Sequence, residues 1–191
     1  MYSYEAFNLI VTKIRHLLTE KKKLIIAIDG RCASGKTTLS EKLSCELECN
    51  VIHTDDFYLQ PFQRTENRYL EPGGNLDRER LAAEVLTPLS SGKMPLYQPF
   101  DCQKTCFKKN ILLPKKDIYI IEGSYSCHPE LRPFYDFTIF VTTDGETQKE
   151  RIRERNGEDK LEDFVNLWIP LEERYFEAFE IEEKANTIIK T

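Results

Sequence analysis

The sequence of 191 residues has no C-x-x-C pair, no His-rich tract and no uninterrupted apolar run of about 18 residues. The missing apolar run excludes a membrane-spanning helix. The missing C-x-x-C pairs remove the usual zinc-ligand spacings, although six cysteines are present. Cys45/Cys49 and Cys102/Cys106 are each four apart, which could place two thiols on one helix face. Reduced thiols in a cytoplasmic protein are the simpler reading. Positive charge is also short. Lys and Arg number 27 against 32 Asp and Glu, a formal net charge of −5. No global basic field is therefore available to hold nucleic acid. The local runs Lys21-Lys22-Lys23, Lys108-Lys109 and Lys115-Lys116 each flank an apolar stretch and read as solubilising edges around strands. The N-terminus lacks a charged region followed by an apolar one, so no signal peptide and a cytoplasmic location are expected. No repeat or low-complexity tract divides the chain. Hydrophobic residues at 40% and charged residues at 31% suit one soluble domain over residues 1–191.

What is present is concentrated at residues 24–38, LIIAIDGRCASGKTT. Gly30-Arg31-Cys32-Ala33-Ser34-Gly35-Lys36-Thr37 fits the phosphate-loop pattern G-x-x-x-x-G-K-[ST] without mismatch. Glycines let the backbone curl so that successive N–H groups point at phosphate oxygens. The helix that follows adds its positive N-terminal end. Lys36 is placed to reach the β- and γ-phosphates, and the Thr37 hydroxyl to sit on Mg²⁺. With Thr38 at the start of the helix, residues 30–38 form the expected ATP-binding segment. The flanks fit. Leu24–Ile28 is a β-branched apolar run, as in a buried parallel strand, and Leu39, Leu43 and Leu47 recur at helical spacing. Cys32, inside the loop, is a candidate for oxidation.

The rest of the chain alternates in the same way. Phe7, Ile10, Val11, Ile14, Leu17 and Leu18 predict a helix over 4–19. Strands are expected at 24–28, 51–53, 117–122, 137–141 and 187–189, and helices at 37–47, 146–156 and 159–182, the last interrupted or kinked at Pro170. Asp77 is a good N-cap for a helix ending near Ser90, with Pro88 tolerable as that helix finishes. Residues 59–75 read as a long loop, and long loops are usually functional. Residues 93–116 are irregular, with a short hairpin around 94–97 and 105–112. This alternation predicts an α/β domain of three layers, a mostly parallel sheet covered on both faces, with the 146–160 region as a helical lid.

In such sheets ligands bind beyond the carboxyl ends of the strands. Asp55 and Asp56 follow the strand at 51–53, and Glu122 ends the strand at 117–122. A carboxylate there can hold Mg²⁺ or accept the proton of an attacking hydroxyl. Asp55 or Asp56 could equally cap a turn, and Asp77 could be an N-cap alone. Arg151 and Arg155 share a helix face and are placed to meet a transferring phosphoryl group. A solvated face with Arg153, Glu150 and Glu154 is the alternative. His53 and His128 stand isolated and read as structural.

The motifs IAIDGRCASGKTTLSEKL, VIHTDDFYLQPFQR, GGNLDRERL and IYIIEGSYS together resemble the uridine kinase and phosphoribulokinase-like group of P-loop kinases. The resemblance runs from about residue 24 to 189. It implies a P-loop NTPase fold, ATP and Mg²⁺ as cofactors, Asp55 as base toward the substrate hydroxyl, and Glu122 as a metal partner. It further implies Asp77 at ribose or sugar hydroxyls and Tyr58 and Tyr97 at the acceptor. One departure is visible. Family members that recognise uracil carry a His and an Arg downstream of a tyrosine and an aromatic, whereas Tyr97-Gln98-Pro99-Phe100-Asp101 keeps only the tyrosine and an aromatic.

The expected activity is ATP-dependent phosphorylation of a hydroxyl on a small metabolite. A nucleoside comes first, then nicotinamide riboside, a sugar or pantothenate. A GTPase would want an N-K-x-D motif, which is absent. A non-catalytic regulator would not need the base. Neither nucleic acid nor membrane is an expected partner, and homo-oligomers are compatible with the sequence.

Overall fold

Leu24–Gly30 (β1) is buried along its whole length because it runs through the middle of a sheet. The computed structural model describes residues 2–191. Asn50–His53 (β2), Ile118–Glu122 (β7), Phe137–Thr142 (β8) and Thr187–Lys190 (β9) join β1 in the order β2-β7-β1-β8-β9, with every pairing parallel. The helices alternate with these strands. Tyr4–Glu20 (α1) is N-capped by Ser3, whose Oγ accepts the Ala6 N–H at 3.1 Å. Lys36–Leu47 (α2) follows the phosphate loop.

Alternation along β1 builds two cores. Leu24, Ile26 and Ile28 pack with Ile10, Val11 and Ile14 of α1 and Leu39 and Leu43 of α2. Ile25 and Ala27 face the other way, onto Leu81, Val85 and Leu86 and onto Tyr175 and Phe176. Each fully buried aliphatic side chain stabilises by about 1.5–3 kcal/mol. The result is the expected three-layer α/β/α P-loop fold.

Register positions the site. Ile28 of β1 and His53 of β2 both lie beside Glu122 of β7, so three strand ends meet at one edge. Gly30 lies opposite Val141 of β8 with φ +134°, and a Cβ there would sit 1.9 Å from the Val141 carbonyl oxygen. Only glycine allows the loop to leave the sheet at that point. Gly35, at φ +93°, turns the loop into α2.

Two regions differ from the sequence reading. Residues 59–75 are not a structureless loop. They contain a 3₁₀ turn at Pro61–Gln63 and a short helix, Glu66–Leu70 (α3), both too brief to show a period. Arg68 fixes this segment, donating to the carbonyls of Gly74 and Leu76 at 2.9 Å each while pairing with Glu79. At the prolines of the long helices the expected interruption takes the form of a π-helical turn, and the helix carrying Pro88 ends at Ser90 as expected. The helix over residues 78–90 (α4) passes through a π-helical turn at Ala82–Leu86, directly before Thr87-Pro88. The helix over residues 158–179 (α6) does the same at Phe164–Trp168, before Ile169-Pro170. The widened turn removes the clash between a proline ring and the carbonyl four residues back.

Between α4 and β7, Leu96–Tyr97 (β3) pairs with Ile111–Leu112 (β6), and Phe100–Asp101 (β4) with Cys106–Phe107 (β5), both antiparallel. The lid helix Gly145–Asn156 (α5) is N-capped by Asp144. No helix among the described residues is long and apolar enough to cross a membrane.

Candidate active site

A cavity of about 1000 Å³ opens at the carboxyl ends of the strands. It is lined by Cys32 to Thr38 of the phosphate loop together with Asp55, Tyr58, Glu122, Arg151 and Arg155. Residues from distant parts of the sequence thus share one space, because β1, β2 and β7 end side by side.

The loop itself is held from several sides. The Lys36 ammonium donates to the carbonyls of Gly30 at 2.7 Å and Arg31 at 2.9 Å, which seats it at the loop's centre. Gly30 and Arg31 do not line the cavity. Arg31 points away from it, forming a two-pronged pair with Glu173 at 2.7 and 2.8 Å and donating to Thr142 Oγ1 at 2.6 Å. Its guanidinium also lies over Phe140 and Phe176. The second loop residue is therefore an anchor to α6, a role that the motif does not specify. Burial, reinforced by the charge of Glu172, pushes the Cys32 thiol up to about 12, so reactive thiolate is scarce and the expected oxidation sensitivity lacks its chemical basis. All six cysteines are free.

Glu122 is 5% exposed and spends both oxygens. Thr37 Oγ1 donates to Oε1 at 3.2 Å, and His53 Nδ1 lies 2.6 Å from Oε2. That hydrogen bond raises the His53 imidazole above its ordinary pKa. His53 is accordingly a partner of the site and not an isolated histidine. Thr37 Oγ1 and Glu122 offer the hard oxygen donors that Mg²⁺ prefers, and a nucleotide site supplies further oxygens from phosphates and water. The residues fit that ion. Among the described residues, no group of three or more His, Cys, Asp or Glu is placed to hold a metal by itself.

Asp55 stands in the 3₁₀ turn Thr54–Phe57, exposed on the cavity wall and without an ion pair among the described residues. Burial and the Asp55 charge hold the Tyr58 hydroxyl well above its ordinary pKa. Arg151 donates to the Ala33 carbonyl at 3.3 Å and Thr191 Oγ1 at 2.8 Å, while Arg155 is steadied by Asn156 at 2.8 Å. Arg153 turns out to Glu158 instead. Of the face expected from the i,i+4 spacing, Arg151 bonds to the loop, while Arg155 lines the same cavity without bonding to it.

Asp77 and Tyr97 are not among the lining residues. Asp77 is 3% exposed, caps α4 through the Arg80 N–H at 3.1 Å and accepts the Gln63 amide at 2.9 Å. Tyr97 is buried and stacked on Phe57, with ring centroids 5.3 Å apart.

Two carboxylates escaped the sequence reading. Asp29, fully buried beside the loop, accepts hydrogen bonds from the backbone N–H groups of Gly30, Tyr125 and Cys127 and from the Tyr175 hydroxyl. Burial pushes its carboxyl up to about 6 against those stabilising bonds. The signal available in sequence was a charge inside an otherwise apolar strand. Glu172 of α6 lines the cavity, accepts the Cys32 N–H at 2.9 Å and the Ser124 hydroxyl at 2.6 Å, and so ties loop to helix. Nothing in its local sequence marks it.

No protein-family model matches the chain. A uridine kinase from Macrococcus caseolyticus is 28% identical over 173 residues, covering 82% of this chain and 83% of that protein. Similarity to uridine kinases supports the uridine kinase and phosphoribulokinase-like group of P-loop kinases as the one this chain resembles. A longer relative, the tRNA-specific adenosine deaminase subunit tad2 of Schizosaccharomyces pombe, is 31% identical over 163 residues, covering 78% of this chain. The chain spans 39% of that protein and 28% and 57% of two uridine-cytidine kinases from Dictyostelium discoideum. The fold matches a solved structure described as a possible uridine kinase from Bacillus stearothermophilus, with TM-score 0.75, 23% identity and coverage of 96% and 97% of the two chains.

Proposed function

We propose that the protein transfers the γ-phosphoryl group of ATP to a hydroxyl of a small metabolite. One observation carries this reading: Lys36, Thr37, Glu122, Asp55 and the two lid arginines line a single cavity. A protein that only bound nucleotide would need the loop but not a carboxylate free to take a proton. Asp55 orients the acceptor hydroxyl and accepts its proton as the new P–O bond forms and the bond to ADP breaks. Lys36, Arg151 and Arg155 spread positive charge over the transferring oxygens. Mg²⁺, held through Thr37 and Glu122, would neutralise phosphate charge when bound. Positioning and electrostatics supply most of the rate.

The relatives named as uridine kinases make a nucleoside the first acceptor to test. A sugar or a vitamin-like acceptor is the second reading. It is favoured by Tyr97, the residue matched to uracil recognition, which is buried against Phe57 away from the cavity. The test is ADP release over nucleosides, nicotinamide riboside, sugars and pantothenate. Asp55→Asn should keep ATP binding and lose turnover by roughly a hundred- to ten-thousandfold. Full activity in that variant would return Asp55 to a turn-capping role.

A further inference from the structure

The cavity carries four cationic side chains: Lys36, Arg64, Arg151 and Arg155. Three belong to the phosphate loop or lid, and Lys36 and Arg151 bond to loop carbonyls. Arg64 stands elsewhere, on the wall that also holds Asp55, Tyr69, Asn75 and Cys102. Its Nε donates to the Leu59 carbonyl at 3.1 Å, which fixes the direction of the guanidinium. Among the described residues no carboxylate pairs with Arg64, whose guanidinium is within hydrogen-bonding reach of the Cys102 thiol. The neighbouring arginines are all engaged. Arg68 pairs with Glu71 and Glu79, Arg78 with Glu71 and Glu130, and Arg80 donates to the Gln98 and Asp56 carbonyls. An oriented guanidinium without an acidic partner, beside only a neutral thiol, matches a carboxylate or phosphate in fork geometry.

We infer that Arg64 binds an anionic group on the acceptor, so that the substrate is a hydroxyl-bearing carboxylate or sugar phosphate and not a neutral nucleoside. This rests on the phosphotransfer reading above but not on its choice of nucleoside. It assigns the wall opposite the phosphate loop a charge preference: Asp55 takes the reacting hydroxyl and Arg64 holds the anionic end. Arg64 is then a specificity residue that acts in ground-state binding as well as in turnover.

The experiment uses the intact protein with Mg-ATP and three acceptor panels: uridine and ribose as neutral compounds, pantothenate and glycerate as carboxylates, ribose 5-phosphate and ribulose 5-phosphate as phosphates. ADP release is measured, and calorimetric binding of each compound is measured in parallel. The expected result is that one anionic panel is preferred; which one separates carboxylate from phosphate. Arg64→Gln should raise KM for that acceptor about 10- to 100-fold with KM for ATP unchanged, and Arg64→Lys should recover part of the loss. A neutral compound as best acceptor, with KM unmoved in Arg64→Gln, overturns the inference and leaves the kinase reading standing. Arg64-dependent binding of an anionic compound without any phosphorylation upholds the inference and counts against the kinase reading. Binding of no anionic compound overturns the inference.

Discussion

On the loop wall of the cavity, Lys36, Thr37, Cys32 and Arg151 each hold a hydrogen bond to a fixed partner, and Asp29 and Glu172 brace the backbone from behind. On the opposite wall, Asp55 and Arg64 are exposed and the segments that carry them are short 3₁₀ turns. The loop wall is held in one arrangement, as a site for a phosphate-bearing ligand would need. The other wall is assembled from elements that can be re-cut without touching the sheet. Such a division lets one fold keep its donor chemistry while its acceptor changes.

Four substitutions test that contrast. Lys36→Ala removes the ammonium at the centre of the loop wall and should lower kcat roughly a hundred- to a thousandfold. Unchanged ADP release would separate the loop from the chemistry altogether. Glu172→Ala leaves the Cys32 N–H and the Ser124 hydroxyl without their acceptor, at about 1–3 kcal/mol. It should weaken ATP binding measured by calorimetry while acceptor binding holds; an equal loss of both would mean the walls are coupled.

His128 probes the brace by pH. Burial holds its imidazole down at about 4, and its ring stacks on Tyr175, the donor to Asp29. Between pH 4 and 6.5 the unfolded chain binds the proton that the folded protein refuses. The associated stability is therefore fully present above pH 6.5 and is lost as pH falls toward 4. Urea unfolding at pH 7.5 and 5 should show the wild type losing about 2 kcal/mol more than His128→Phe. Parallel losses in the two proteins would place the titration elsewhere. Asp77→Ala acts behind the other wall, on a buried residue that does not line the cavity. It removes the α4 cap and the Gln63 partner, costing about 1 kcal/mol of stability, and should raise acceptor KM with ATP affinity unchanged. A selective ATP defect would contradict that assignment.

The loop wall was readable because its chemistry is local in sequence. Residues 30–37 carry their own motif, and β1 and α2 carry clear periods on either side. Glu122 was found through its place at a strand end. Glu172 and Arg31 show what sequence hides. Their roles depend on α6 packing against the loop, a contact between residues about 140 positions apart. Asp77 shows a different limit, since a residue that caps a helix and one that binds sugar have the same local signature. In residues 59–75 the turns are too brief for any period, so Arg64 could not be told from an ordinary surface arginine.

The π-helical turn at Phe164–Trp168 carries one more residue than an α-helical turn would. Winding the same residues as ordinary α-helix would rotate everything beyond them by about 100°. Glu172 and Glu173 would then swing together off Cys32 and Arg31. The widened turn acts as a phase shifter: it sets which side chains of α6 meet the phosphate loop, and a chain one residue shorter at this point would close to an α-turn and keep the same face on the loop.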